Sequence, residues 1–228
     1  MKRLTRFVEV TPEGRIVAAL LEGTKGYSEL KSATGLSDRW LSKKLKELVS
    51  AQIVEHECNR YRLRKPIEIV NSDPVFTKYL QERATLKCKA RLMAEEISRN
   101  SQVVAVILFG SVAKGESTGE SDIDLLIVTE REIEDQLHEM VYILMFKYDA
   151  PVEAIIQTYN DLIANLQAGT AFSFGLLEGY EILYDRGGLE ELLHIKKKEI
   201  LEGWVYDEEV GAWIQKKLAL TLKPLKTS

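Results

Sequence analysis

Cysteine is nearly missing from this chain: Cys58 and Cys88 are the only two in 228 residues, far apart and outside any CxxC spacing. With three scattered histidines they form no zinc-ligand constellation. Both thiols therefore read as reduced residues of a cytoplasmic protein. Long apolar runs are missing too. None approaches the ~20 residues that a membrane span requires. The basic start Met1-Lys2-Arg3-Leu4-Thr5-Arg6 leads into no apolar stretch with a small-residue cleavage site, so neither a signal peptide nor a membrane partner is expected. Internal repeats, low-complexity tracts and Gly/Ser-rich linkers are likewise not found.

What is present is an ordinary globular composition, 45% hydrophobic and 29% charged, with length for one or two domains. The net charge of −4 conceals a division. Residues 1–90 carry 18 Lys and Arg against 11 Asp and Glu, whereas residues 91–228 carry 13 against 24. A basic front half suits a polyanionic partner, and an acidic back half does not suit a nonspecific grip on nucleic acid.

The front half has a legible order. Pro12 and the spacing of Ile16, Val17, Leu20 and Leu21 predict a helix over residues 12–22, stopped by Gly23. A second helix runs from Tyr27 to Ala33 and ends at Gly35. Ser37 is a suitable N-cap for a third, with Trp40, Leu41, Leu45, Leu48 and Val49 as its inward stripe. Two short strands follow, Ile53–Glu57 and Arg60–Leu63, around a tight Cys58-Asn59 turn. The string from Ser28-Glu29-Leu30, through Gly35-Leu36-Ser37 and Leu41-Ser42-Lys43-Lys44-Leu45, to Ile53-Val54 resembles the winged helix-turn-helix family over residues 11–65. That resemblance implies a recognition helix at residues 37–46 in a major groove. Arg39, Lys43, Lys44 and Lys46 would contact DNA or RNA, with Arg60 and Arg62 (and Arg64) on the wing. The alternative is a protein-interaction or dimerisation module whose charges are a solvated face.

Residues 73–100 read as one long connecting helix opened by Asp73-Pro74, with Phe76, Tyr79, Leu80, Leu86, Ala90, Met93 and Ile97 as its seam. It serves either as a packed bridge or as a coiled-coil helix of a homodimer.

The chemistry-bearing motif follows. Gln102–Phe109 is a β-branched apolar run, hence a buried strand, and it ends abruptly in Gly110-Ser111. Ten residues later Asp122-Ile123-Asp124 opens a second apolar strand. Alternation along a strand places Asp122 and Asp124 on one face, with Ile123 in the core. Two desolvated carboxylates side by side repel unless a cation neutralises them. Ligation by oxygen alone favours Mg²⁺ or Mn²⁺ over zinc. Gly110 admits close approach of a ligand, Ser111 offers donors to phosphate, and Lys114 supplies counter-charge.

Leu108-Phe109-Gly110-Ser111, Gly115-Glu116 and Ser121-Asp122-Ile123-Asp124-Leu125 resemble the DNA polymerase β-like nucleotidyltransferase superfamily, above all its minimal members. The resemblance implies that Gly110 and Ser111 cradle NTP phosphates and that Asp122 and Asp124 bind two metal ions. A third carboxylate on a later strand completes the site. Glu153, the one charge in the apolar run Val152–Ile156, matches that position, although the family usually has Asp there. Asp149 is its rival, in the preceding turn. The implied reaction is attack of an acceptor hydroxyl on the α-phosphate of an NTP, ATP by default, with release of pyrophosphate. One metal activates the nucleophile and the other stabilises the departing oxygens. The acceptor could be a protein hydroxyl, a nucleic-acid end or a small molecule such as an aminoglycoside. The competing reading is a DNA-binding regulator whose transferase-like domain senses nucleotides or is inert.

Residues 160–183 and 189–222 read as mainly helical. Phe172, Phe174 and Tyr180 read as packing on the sheet, with Tyr180 or Phe174 as alternative partners for a nucleobase. Lys196-Lys197-Lys198 reads as a solvated helix face, with acceptor contact as its alternative, and Trp204 and Trp213 mark a helix–helix or dimer contact. The expected architecture is α+β: a winged helix-turn-helix over 1–68, a connecting helix over 69–100, a mixed-sheet nucleotidyltransferase domain over 101–185 and a helical tail over 186–228.

Overall fold

Thr11 starts the described fold: its hydroxyl accepts a hydrogen bond from the Gly14 N–H at 3.0 Å and caps α1 (Pro12–Leu21). The coordinates are a computed structural model that describes residues 11–72, 74–207 and 212–216. The strand β1 (Lys25–Gly26) leads into α2 (Tyr27–Thr34), which Gly35 closes at φ +64°. Next comes α3 (Asp38–Ser50), where Ser37 occupies the N-cap without a side-chain cap bond. The wing is β2 (Val54–Glu57) and β3 (Arg60–Leu63), joined through Cys58 and Asn59, both at positive φ. β1 adds to β3, a pairing too short to register in the sequence.

The inward stripe of α3 is narrower than its apolar residues suggest. Leu41, Leu45 and Leu48 are buried, but Trp40 is 50% exposed and Val49 lies at the surface. Residues 41, 45 and 48 already fill one helical face, and Trp40 is turned about 100° away from Leu41.

The connector is not one helix. It consists of α4 (Pro66–Ser72), α5 (Pro74–Arg83) and α6 (Leu86–Ile97); Asp73, the expected cap, lies outside the described residues. The break at 84–85 has one local tie and one distant one. The Thr85 hydroxyl accepts from the Cys88 N–H, starting a new helix, while Thr85 donates its own N–H and O–H to Glu22 at 3.1 and 2.6 Å. The seam of α6 is used within the chain: Ala90, Leu92, Met93, Ala94 and Ile97 are buried against the sheet and α8 (Glu134–Tyr148).

The main sheet holds β4 (Val103–Phe109), β5 (Ile123–Thr129), β6 (Val152–Thr158) and β7 (Tyr180–Asp185) in the order β6-β5-β4-β7. Only β5 and β6 are parallel, and α8 makes their crossover. One face, with Val106, Leu108, Ile123, Leu125 and Ile127, joins the core that runs back to Ile16 and Leu30 of the winged helix. The other, with Ile107, Leu126 and Val128, is covered by α9 (Tyr159–Ala168), α10 (Ala171–Glu178) and α11 (Leu189–Gly203).

Two expectations for the tail need correction. The stretch read as helical up to residue 183 contains β7, whose aromatic and β-branched residues pair with β4. After α11 the chain forms a hairpin, β8 (Trp204–Asp207) with β9 (Ala212–Gln215), where residues 186–228 were expected to be helical. Trp204 and Trp213 pack on Phe174, at 4.9 and 5.6 Å between ring centroids. Residues 217–222 of that expectation lie outside the described residues.

Polar ties fix the front unit to the sheet. Arg91 donates to the Glu22 carbonyl at 3.0 Å and to the Glu181 carboxylate at 2.8 Å. Buried Lys89 donates to the carbonyls of Gln81 and Asp149, at 3.1 and 3.0 Å, and so holds the turn that leads into β6. Among the described residues no helix is long and apolar enough to cross a membrane.

Leu108 is fully buried at the middle of the shared core. Leu108→Ala should cost about 2–5 kcal/mol, read as a lower midpoint of chemical unfolding at unchanged slope.

Candidate functional site

The site is built on one row of the sheet. Register pairs Glu153 on β6 with Asp124 on β5, Asp124 with Phe109 on β4, and Phe109 with Tyr180 on β7. Residues paired in register share a face, so all four look toward the side covered by α9, α10 and α11. At Phe109 the chain leaves the strand and turns through Gly110 into the short helix α7 (Gly110–Lys114). Gly110 has φ +69°, and a Cβ there would lie 2.8 Å from the Asp124 Cγ and overlap its Oδ2. The glycine is thus required twice, by the backbone angle and by the carboxylate.

Asp124 is half-buried in its strand. Desolvation raises its pKa above the usual carboxylate value, and the neighbouring charges of Glu153 and Asp122 raise it further. Asp122 was expected on the same strand but lies one residue before β5, exposed at the end of the loop. Glu153 is exposed on the edge strand β6, beside Asp124. Asp149, the rival acid, is the left-handed C-cap of α8. Among the described residues no three Asp, Glu, His or Cys close into metal-holding geometry by themselves. Asp124 and Glu153 lie in register on neighbouring strands, with Asp122 two residues before Asp124, so the carboxylates are neighbours that do not close on one point.

Ser111 is half-buried in α7 next to Gly110. Lys114, four residues beyond Gly110, is already engaged: its ammonium donates to Glu178 at 2.8 Å, a bond that raises the lysine pKa. Glu178 also accepts from the Trp213 indole at 3.1 Å. The Lys114 stem lies so close to Gly179 that a Cβ there would come within 2.6 Å of it. Sequence reasoning missed Glu178 and Gly179, and read Trp213 as a helix–helix or dimer contact. Glu178 is 64 residues from Lys114, and no local pattern encodes that pairing.

The winged helix offers a second surface. Arg39, Lys43 and Lys46 are exposed on α3, with the Lys43 ammonium 5.7 Å from the ring centre of exposed Trp40. Lys44 is turned inward, paired with Glu13 and Glu47 at 2.6 and 2.7 Å. On the wing Arg60 meets Glu29 at 3.3 Å, and Arg62 meets Glu55 at 2.7 Å. Part of the positive excess is therefore balanced within the fold, and the exposed basic residues of α3 are Arg39, Lys43 and Lys46, beside Trp40.

Comparison with known proteins bears on both parts. The nucleotidyltransferase domain family matches residues 90–174, and the HxlR-like helix-turn-helix family matches residues 12–65. Two proteins of Methanocaldococcus jannaschii, each named "Putative protein adenylyltransferase", are similar. MJ1305 is 30% identical over 106 residues, which is 44% of this chain and 66% of that protein. MJ0604 is 34% identical over 83 residues, 36% of this chain and 80% of that protein. Against the first, the chain thus spans just under two thirds of its relative's length. Among solved structures, a toxin–antitoxin crystal structure with AMP-PNP shares 16% identity at a TM-score of 0.37, over 49% of this chain and 86% of that one. With its strand-borne Asp124 above Gly110 and a relative matched over most of its length, the chain belongs to the nucleotidyltransferase family and carries an HxlR-like helix-turn-helix in front.

Proposed function

We propose that the chain is a metal-dependent nucleotidyltransferase that moves an NMP, AMP from ATP in the first instance, to an acceptor hydroxyl. The observation that carries this reading is the fit of the Asp124 carboxylate over Gly110, in register with Glu153. Asp122, Asp124 and Glu153 would hold Mg²⁺ or Mn²⁺, which supplies Lewis-acid stabilisation of phosphoryl charge when bound. Gly110 turns the chain under the Asp124 carboxylate, and Ser111 beside it adds a hydroxyl donor for a phosphate. Glu153, on the open edge of the sheet, takes the proton of the incoming hydroxyl. The acceptor oxygen bonds to the α-phosphorus as the bond to the α,β-bridging oxygen breaks, and that electron pair leaves with pyrophosphate. Lys114 must exchange Glu178 for the departing phosphates, so the same contact holds the lysine ready and restrains it.

The names of the two relatives make a protein hydroxyl the first acceptor to test. The winged helix would carry the enzyme to DNA through Arg39, Lys43 and Lys46, with Trp40 beside them. The regulator reading, in which the second half only senses nucleotide, draws on one observation: Lys114 is occupied by Glu178.

Asp122→Asn should lower Mg²⁺- or Mn²⁺-dependent turnover of labelled NTP by at least about a hundredfold at unchanged circular dichroism. Retained turnover would show the assignment to be wrong. A second outcome concerns stability. Because the folded pKa of Asp124 is raised, its ionised form costs stability above that pKa. The cost fades as pH falls from the folded pKa to the ordinary carboxylate value. Asp124→Asn should therefore melt above the wild type at neutral pH without divalent metal, the gap closing on acidification; an equal or lower melting point at pH 7 contradicts it. On the winged helix, Lys43→Ala should weaken DNA binding across sequences and flatten the log–log salt slope by about 1, measured by fluorescence anisotropy.

A further inference from the structure

A second patch of cationic side chains lies on the same side of the sheet as the acids. Tyr180, His194, Lys197, Lys198, Glu202 and Lys216 bound an open cleft of about 810 Å³. Among its described lining residues Lys197 and Lys198 stand against the single glutamate, within the half of the chain where acids outnumber bases 24 to 13. The Lys197 ammonium stands 5.5 Å from the centre of the Tyr180 ring. Lys196 does not belong to the cleft, being paired with Glu199 at 2.6 Å.

The row order gives the cleft its place in the reaction. Glu153, Asp124, Phe109 and Tyr180 follow one another across β6, β5, β4 and β7. An acceptor activated by Glu153 arrives from the β6 edge. In-line displacement sends the leaving group the opposite way, over β4 and toward β7. Tyr180 lies two strand spacings from Asp124, about 10 Å, a gap that a polyphosphate tail and a lysine side chain together bridge. Lys114 and Lys197 are linked through one neighbour: Glu178 pairs with Lys114 and also lines, with Lys197, the 160 Å³ cavity under Trp213. A cation therefore lies at each end, Lys114 by the turn after Gly110 and Lys197 at the cleft, with the Glu178 carboxylate as their common neighbour. Glu153, an acid, occupies the acceptor side.

We propose that the cleft of Tyr180, Lys197 and Lys198 is a second phosphate subsite, which takes the pyrophosphate end of the nucleotide as it departs. The proposal rests on the nucleotidyltransferase reading for its role in turnover, but the subsite can be measured without turnover. Linked phosphoryl groups carry dense negative charge that several ammonium groups recognise together, and the flanking tyrosine restricts where the Lys197 head can lie.

Calorimetric titration of the full chain with inorganic pyrophosphate in metal-free buffer reads the lysines apart from the acids. The double variant Lys197→Ala/Lys198→Ala should bind pyrophosphate at least about tenfold more weakly, and the exposed single variant Lys198→Ala should show part of the loss at wild-type melting temperature. Lys196→Ala should bind as the wild type does. With Mg²⁺ and ATP, the double variant should show weaker product inhibition by pyrophosphate. Equal pyrophosphate affinity in wild type and double variant overturns the subsite, as does an equal loss in Lys196→Ala, which would reveal only diffuse charge. Lysine-dependent binding of a single-stranded oligonucleotide without binding of pyrophosphate overturns it too. Failure of the transferase reading looks different: Asp122→Asn would keep its NTP turnover, whatever the titration gives.

Discussion

A carboxylate and a glycine compete for one volume at the centre of this molecule. Asp124 can lie where it does only because Gly110 contributes no Cβ, and Gly110 turns the chain through a left-handed angle that other residues resist. Much of the surrounding architecture is needed to keep those two together. β4 and β5 must pair in the register that puts Phe109 opposite Asp124, and α8 must carry the chain over so that β6 returns parallel with Glu153 alongside. The electrostatic strain from burial and like charge is then fixed in place by packing, and on the proposed function a divalent cation would relieve it.

The elements most legible in the sequence are those whose signals are local. Pro12, Gly35, the Cys58-Asn59 turn and the 41, 45, 48 stripe each act within a few residues, so the winged helix could be read in order. The Gly-Ser and Asp-x-Asp pairs were legible for a similar reason, since each sits at the mouth of a strand whose apolar run is unmistakable. Glu153 could be picked out as the one charge in an apolar strand, although the parallel pairing that puts it beside Asp124 is non-local.

What escaped is encoded at long range. β7 is six residues long, and its aromatic and β-branched residues become a strand through pairing with the open edge of β4. The break at Thr85 is fixed by Glu22, 63 residues earlier, in a stretch whose apolar spacing alone favours one continuous helix. Lys114 looked like free counter-charge until the fold placed Glu178 against it. The tail was read as helical because Trp204, Tyr206 and Trp213 are equally at home on a helix or in a strand. Their pairing as a hairpin around Phe174 settles the difference.

The short contacts of Arg91 have an effect on scale. By touching Glu22 and Glu181 at once, and with Thr85 on the same Glu22, the helix-turn-helix unit is bolted to the sheet edge rather than tethered beside it. A duplex seated on α3 would thereby dictate the compass bearing of the acidic row. On the proposed function, choice among hydroxyl groups would then become a question of lever arm and angle: candidates outside a narrow arc would stay out of range, however well they fitted the site.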